Sequence, residues 1–193
     1  EELKVHYANR LHIFVYDTKT LNIAEGALAY EAKVLIEQGE SFENVAKKLD
    51  DLRRRSEFLF TLSDLDYIIR NKKLSAPAAF VANLFDIKPI MQINQIGEIV
   101  AVEKVRKLEK TLTTMGKTVE KLAANQPAFI YLTDTGHHES TEYLKYLLAT
   151  HFGWHDLPVI RVSTISLANH GLMGTGIGVF YGELPHIVKA LKK

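Results

Sequence analysis

The stretch SAPAAFVANLFDIKPIMQINQIGEIVAVEKVRK, Ser75–Lys107, decides the architecture. It reads as helix, strand, tight turn, strand and the start of another helix. Ser75 can N-cap a helix that carries Pro77 in its first turn, where a missing N–H costs nothing. Ile87–Ile93 and Glu98–Val105 have the composition of strands, and Asn94-Gln95-Ile96-Gly97 supplies a short turn ending in glycine. Strands joined this closely pair antiparallel. Lys104–Ala124 then reads as a long, charge-rich helix with Leu108, Leu112, Met115 and Val119 on one side.

Working outward, strand and helix patterns alternate. Towards the N-terminus, Leu11–Tyr16 is an apolar run that ends at Asp17-Thr18 and reads as a strand. Ile23–Gln38 is a helix with Ala27, Leu28, Leu35 and Ile36 marking its buried face, and Gly39 stops it. Ser41 caps a second helix, with Val45, Leu49 and Leu52 at helical spacing. Phe58–Leu62 reads as a strand and Asp64–Arg70 as a short helix. Towards the C-terminus, Ala128–Leu132, Pro158–Val162 and Ile177–Tyr181 read as strands, and Glu139–His151 and Pro185–Lys193 as helices.

This order means an α/β protein with a mixed sheet and one antiparallel hairpin. A boundary near Ser56 separates residues 1–55 from an α/β domain over 56–193. The opening has one evident strand for two amphipathic helices, too little sheet to cover them. Leu28, Leu35, Val45 and Leu49 are therefore expected to be exposed or to lie against another chain.

Composition narrows the function classes. The chain is 47% hydrophobic and 24% charged, as globular domains are, and its net charge is +1, which gives no whole-chain case for nucleic acid. No apolar run reaches the roughly 18 residues of a membrane span, and no signal peptide is visible. Zero cysteines exclude disulfides, thiol nucleophiles and thiolate metal sites, and fit a cytoplasmic protein. The chain opens Glu1-Glu2 without a Met, so a longer parent is expected.

Few residues name a chemistry. His170 sits before glycines 171, 174, 176 and 178, and an imidazole can donate to a carboxylate. The glycines precede a strand and lack the Lys-Ser/Thr of a phosphate loop. Ser163, Ser166 and His170 are close enough in sequence for a serine hydrolase, which would also need an acid and an oxyanion hole. Asp134, His137, His138 and Glu139 read as a polar loop starting a helix, more than as a metal set, which needs convergent ligands. Arg53-Arg54-Arg55 is interleaved with acids and reads as a solvated helix face.

Several of these landmarks, in this order, resemble the DegV family. Asp17-Thr18-Lys19 and Gly26 fit its Asp-Ser-Lys strand end and helix start, with Thr for Ser. Ser75, Ile87-Lys88-Pro89 and Lys104-Val105-Arg106 fit its middle. Its Gly-Gly-Arg-Ile corner falls on Asn71-Lys72-Lys73-Leu74, which keeps only the cation and the aliphatic residue. Its His-x-Gly-Pro-Gly turn falls on His170-Gly171-Leu172-Met173-Gly174, without the proline.

The resemblance, from about Val15 to Tyr181, implies a two-lobed, DegV-like architecture of which residues 1–55 are a remnant of the first lobe. It implies a bacterial, cytoplasmic carrier of a long-chain fatty acid, without catalysis, cofactor or metal, that presents its lipid to a separate fatty-acid kinase. In that frame His170 meets the lipid carboxylate, and Gly171 and Gly174 form a close-approach loop. Phe80, Leu84, Ile87, Ile90 and Met91 line the tail, although plain core explains them equally. Arg106 belongs to a partner-docking surface. The family's other carboxylate ligands, a Thr and a Ser-Gly loop, lie in a segment that residues 1–10 do not supply. The alternatives are a small serine hydrolase and a regulatory or structural domain that has lost the lipid site.

Overall fold

The computed structural model describes residues 2–75, 87–136 and 138–191. After a short helix α1 (Glu2–His6) come α2 (Asn22–Glu37), α3 (Phe42–Arg54), β1 (Ser56–Leu62), α4 (Asp66–Arg70) and β2 (Leu74–Ser75). The hairpin strands are β3 (Ile90–Ile93) and β4 (Ile99–Glu103), followed by α5 (Leu108–Ala123), β5 (Ala128–Asp134) and α6 (His138–Phe152). The chain closes with β6 (Val159–Arg161), α7 (Thr164–His170), β7 (Gly174–Tyr181) and α8 (Ile187–Leu191).

The strands form one seven-stranded sheet in the order β2-β4-β3-β1-β7-β5-β6. It is mixed: β2/β4 and β5/β6 are parallel, and the other neighbours are antiparallel. The hairpin is as its turn chemistry predicts, with Met91 opposite Ala101 and Ile93 opposite Ile99. Beyond it, Lys88 N–H donates to the Val105 carbonyl at 2.6 Å. That bond extends the pairing to Val105, and α5 starts at Leu108 instead of Lys104.

The period of two along the strands divides the core. On one face Leu59, Leu132, Ile177 and Val179 meet Leu112, Met115 and Val119 of α5 and Leu144 and Leu148 of α6. On the other, Phe58, Phe60, Phe129, Tyr131 and Phe180 meet α2 and α3. Leu28, Leu35, Val45 and Leu49 are only 2%, 3%, 4% and 3% exposed. This overturns the expectation that they lack cover. The strands after Ser56 face α2 and α3 directly, a long-range pairing that local patterns do not reveal.

The expected strand Leu11–Tyr16 is absent. The segment lies along α3, with Phe14 stacked on Phe42 at 5.6 Å and Tyr16 OH donating to Asp50 Oδ1 at 2.8 Å. Its residues make no backbone-to-backbone bond to a neighbouring strand among the described residues, and β-rich composition without a ladder does not make a strand. Ser75 pairs with Val100 in β2 beside β4, and the helix it was expected to cap lies outside the described residues.

β7 carries glycine at 174, 176 and 178, all on the α2/α3 face. A Cβ at Gly176 would lie 2.8 Å from the Phe58 ring, and one at Gly178 would lie 2.1 Å from Tyr131 Cζ. The missing side chains are therefore filled by rings from β1 and β5. Gly178→Ala is expected to cost about 1–3 kcal/mol by overpacking against buried Tyr131. Urea denaturation checks it, and a midpoint unchanged from the parent chain contradicts it.

Candidate functional site

A cleft of about 860 Å³ opens on the α2 side of the sheet. Its walls are the N-terminal turns of α2, the corner Lys72–Ser75, the hairpin end Gly97–Ile99, the end of β6 and the length of α7. Each wall is held by a specific contact. Arg53 donates to the side-chain and main-chain oxygens of Gln95 at 3.0 and 3.3 Å, tying the hairpin tip to α3. Gly97, at φ +89, lets that tip approach Lys19, whose Cα would lie 3.2 Å from an added Cβ. Asn71 Nδ2 donates to the carbonyls of Ala168 and Asn169, both at 3.1 Å, so the lysine corner is hooked to the end of α7.

α7, like β2, is an element the sequence reading missed. Ser163 caps it, and it runs only seven residues. Ser166 and His170 are one turn apart and both face the cleft. Ser166 is buried, and its hydroxyl donates to Asn22 Oδ1 at 2.8 Å, joining α7 to the start of α2. Asn22 itself has φ +56, and Leu21 before it makes no side-chain cap to the start of α2.

His170 ends α7 with its ring 6.3 Å from that of Phe60. Burial first, and then the charge of Lys73, hold its imidazole below the ordinary histidine range. Gly171 follows at φ +91 with its Cα against the Tyr67 ring. Gly174 begins β7, where a Cβ would meet the Thr61 carbonyl at 2.8 Å, and its N–H donates to Thr135 Oγ1 at 3.0 Å. Behind His170 lies a small gap of about 30 Å³, enough to hold a water, lined by Phe58, Phe60 and Leu62.

The other candidates are scattered. Phe80 and Leu84 lie outside the described residues. Ile87 is half-buried, Met91 is in the core beside Phe60, and Ile90 faces α5 and α6 on the opposite side of the sheet. Arg106 is exposed beyond the far end of β4 from the cleft. His138 Nδ1 lies 2.7 Å from Asp134 Oδ2, and Asp134 Oδ1 accepts from Gly136 N–H at 2.8 Å, so Asp134 organises the start of α6. His137 lies outside the described residues, and no metal-binding cluster occurs among the described ones. Ser166 is bonded to Asn22 and Ser163, and no serine–histidine hydrogen bond to His170 occurs among the described residues. A Ser-His dyad is therefore not assembled. No helix among the described residues is long and apolar enough to cross a membrane.

A family model described as "Uncharacterised protein, DegV family" matches residues 3–182. The chain belongs to the DegV family. A DegV domain-containing protein of Clostridium acetobutylicum is 26% identical over 71% of the chain and 49% of its own length. One from Listeria monocytogenes is 30% identical over 61% of the chain and 41% of its own. The crystal structure of a fatty-acid-binding DegV family protein from Streptococcus agalactiae superposes with a TM-score of 0.82 at 25% identity. That match covers 95% of this chain and 64% of the other. A DegV family protein from Thermus thermophilus gives 0.77 at 22% identity, over 93% of this chain and 64% of its own, and supports the fold. The matches thus span between about two fifths and just under two thirds of the length of these DegV proteins.

The lowered titration of His170 has a consequence for folding. An imidazole harder to protonate folded than unfolded leaves stability untouched above the ordinary histidine value of about 6.5. As pH falls from there towards its folded value, the unfolded chain binds more protons and stability drops. His170→Gln is expected to flatten this acid-side decline, measured by thermal unfolding between about pH 7 and pH 5. A variant with the parent's slope shows that His170 does not contribute.

Proposed function

We propose that this chain binds a long-chain fatty acid in the α2–α7 cleft, with the carboxylate at His170. The observation that carries the reading is the joining of three features in one concavity. An imidazole stands at its inner end, apolar side chains such as Ile23, Ile99, Ile160 and Val162 form walls, and the cations Lys72, Lys73 and Arg161 stand around it. Ligand sites commonly pair apolar walls with few polar groups. The S. agalactiae relative, described as fatty-acid-binding, has the same fold. Family membership and that likeness support a carrier, not a catalyst.

Magnitudes assign the roles. Each buried CH₂ contributes about 0.8 kcal/mol before ordering costs. One charge-assisted hydrogen bond to His170 adds about 1.5–3 kcal/mol. The tail therefore supplies most of the affinity and the histidine supplies the choice of head group. Phe80, Leu84, Ile87 and Met91 are proposed as further tail contacts, with Gly171 and Gly174 shaping the loop beside the carboxylate; Ile90, on the opposite face of the sheet, is not one of them.

Two extensions complete the proposal. Residues 1–55 are proposed as part of a first lobe and 56–193 as a second, the two sharing one core in which Leu28 and Val45 join Phe58 and Phe60. The carrier presents its acid to a separate fatty-acid kinase, with exposed Arg106 in the docking surface.

His170→Ala is expected to weaken binding of a fatty acid roughly 10- to 150-fold, the equivalent of that hydrogen bond, and to leave the matching fatty alcohol less affected. Calorimetry with both ligands decides it. Equal losses would show that His170 only shapes the wall, and no loss for either would remove it from the site.

A further inference from the structure

The cleft wall has an unbalanced charge distribution. The cleft that His170 lines also carries Lys72 and Lys73 on the corner after α4, Arg161 at the end of β6, Glu25 on α2 and Glu98 on the hairpin. Tyr67 of α4 packs on the adjoining Gly171, and Phe60 of β1 offers only its ring. Lys72, Lys73 and Arg161 form no ion pair with another described residue. Glu98 is engaged by Asn94 Nδ2 at 3.3 Å, on the hairpin side. Fixed positive charge therefore outnumbers negative around a half-buried histidine, and Asn71 hooks the nearest of it, the Lys72-Lys73 corner, to the end of α7.

We propose that binding of the acid is coupled to protonation of His170, so that the cleft takes up one proton from solvent with each carboxylate it accepts. This deepens the fatty-acid reading and rests on it. Before the acid arrives, burial and Lys73 both disfavour an imidazolium. A carboxylate beside the ring reverses the balance, because an adjacent opposite charge favours the charged form. The proton comes from water or buffer and stays on the imidazole, and the carboxylate arrives ionised. No bond is made or broken beyond that N–H. Lys73 is then a positioning residue for charge: it keeps the ring neutral until an anion offsets it.

Linkage fixes the sign. Between the titration point of the ligand-free ring and the higher one of the complex, affinity for the acid falls as pH rises, approaching tenfold per pH unit for one proton. The alcohol, which brings no charge, shows no such dependence. The coupling makes raised pH a release signal and lowered pH a loading signal.

The test is titration calorimetry of decanoate and decanol into the chain, in buffers of different ionisation enthalpy, at about pH 7 to about pH 8. Uptake approaching one proton is expected for decanoate and none for decanol. His170→Gln should abolish the uptake, and Lys73→Met should move the affinity–pH curve to higher pH. The His170 ring carbon and nitrogen shifts should report imidazolium only with decanoate. Decanoate binding without proton uptake, or the same uptake in His170→Gln, overturns the coupling and leaves the fatty-acid reading standing. Failure of both ligands, and of oleate as a long-chain acid, to bind overturns that reading and the coupling with it.

Discussion

The structure depends on the packing around β7. This strand is buried from Gly174 to Phe180 and lies between β1 and β5, antiparallel to both. Its alternating residues do two opposite things. Ile177 and Val179 fill the α5/α6 face, while Gly174, Gly176 and Gly178 leave the other face hollow. Phe58 and Tyr131 fill that hollow from the neighbouring strands. The rings can then lie low enough on the sheet for α2 and α3 to pack over them, one core cluster joining both helices to the strands. A side chain at any of these glycines would lift that layer.

The cleft follows from the same arrangement. β7 starts where the loop from α7 arrives, and Thr135 holds that loop through the carbonyls of Leu172 and Gly174. α7 follows β6, which runs parallel to β5, so the cleft sits where those strands end. This is the usual place for a site in an open α/β sheet. The contact between Ser166 and Asn22 then closes the wall from the other side. His170 is positioned from both ends: the helix orients it and Gly171 turns the chain away behind it. Its environment is partly apolar, through Phe60, and partly cationic, through Lys73. That mixture suits an amphipathic anion.

Much of the fold was legible because it is written locally. The hairpin followed from Asn94–Gly97 between two apolar runs, and α2, α3, α5 and α6 followed from helical spacing. Leu11–Tyr16 was misread because composition reports a preference for extended backbone, not the presence of a partner strand. β2 has two residues and α7 has Ser166 as its buried residue, too little pattern for either to show. The cover over Leu28 and Val45 depends on strands far along the chain. The site was legible in one residue. His170 stood out through its glycines, yet the glycine at 174 serves strand packing as well as the loop. Asn22 and Arg161 carried no signal, and Ser166 drew notice only as a hydrolase nucleophile, since its bond to Asn22 across 144 positions leaves no local trace.

The proposed lipid site is the concavity between α2, the hairpin and α7. The most direct measurement is a map of backbone amide shifts on titration with a fatty acid whose carboxyl carbon is isotope-labelled. The account predicts shifts concentrated at Asn22, Gly97, Ser166 and His170, with the labelled carboxyl close to the His170 ring. Shifts concentrated around Trp154 and His155 at the far end of α6, or spread without focus over the surface, would contradict it.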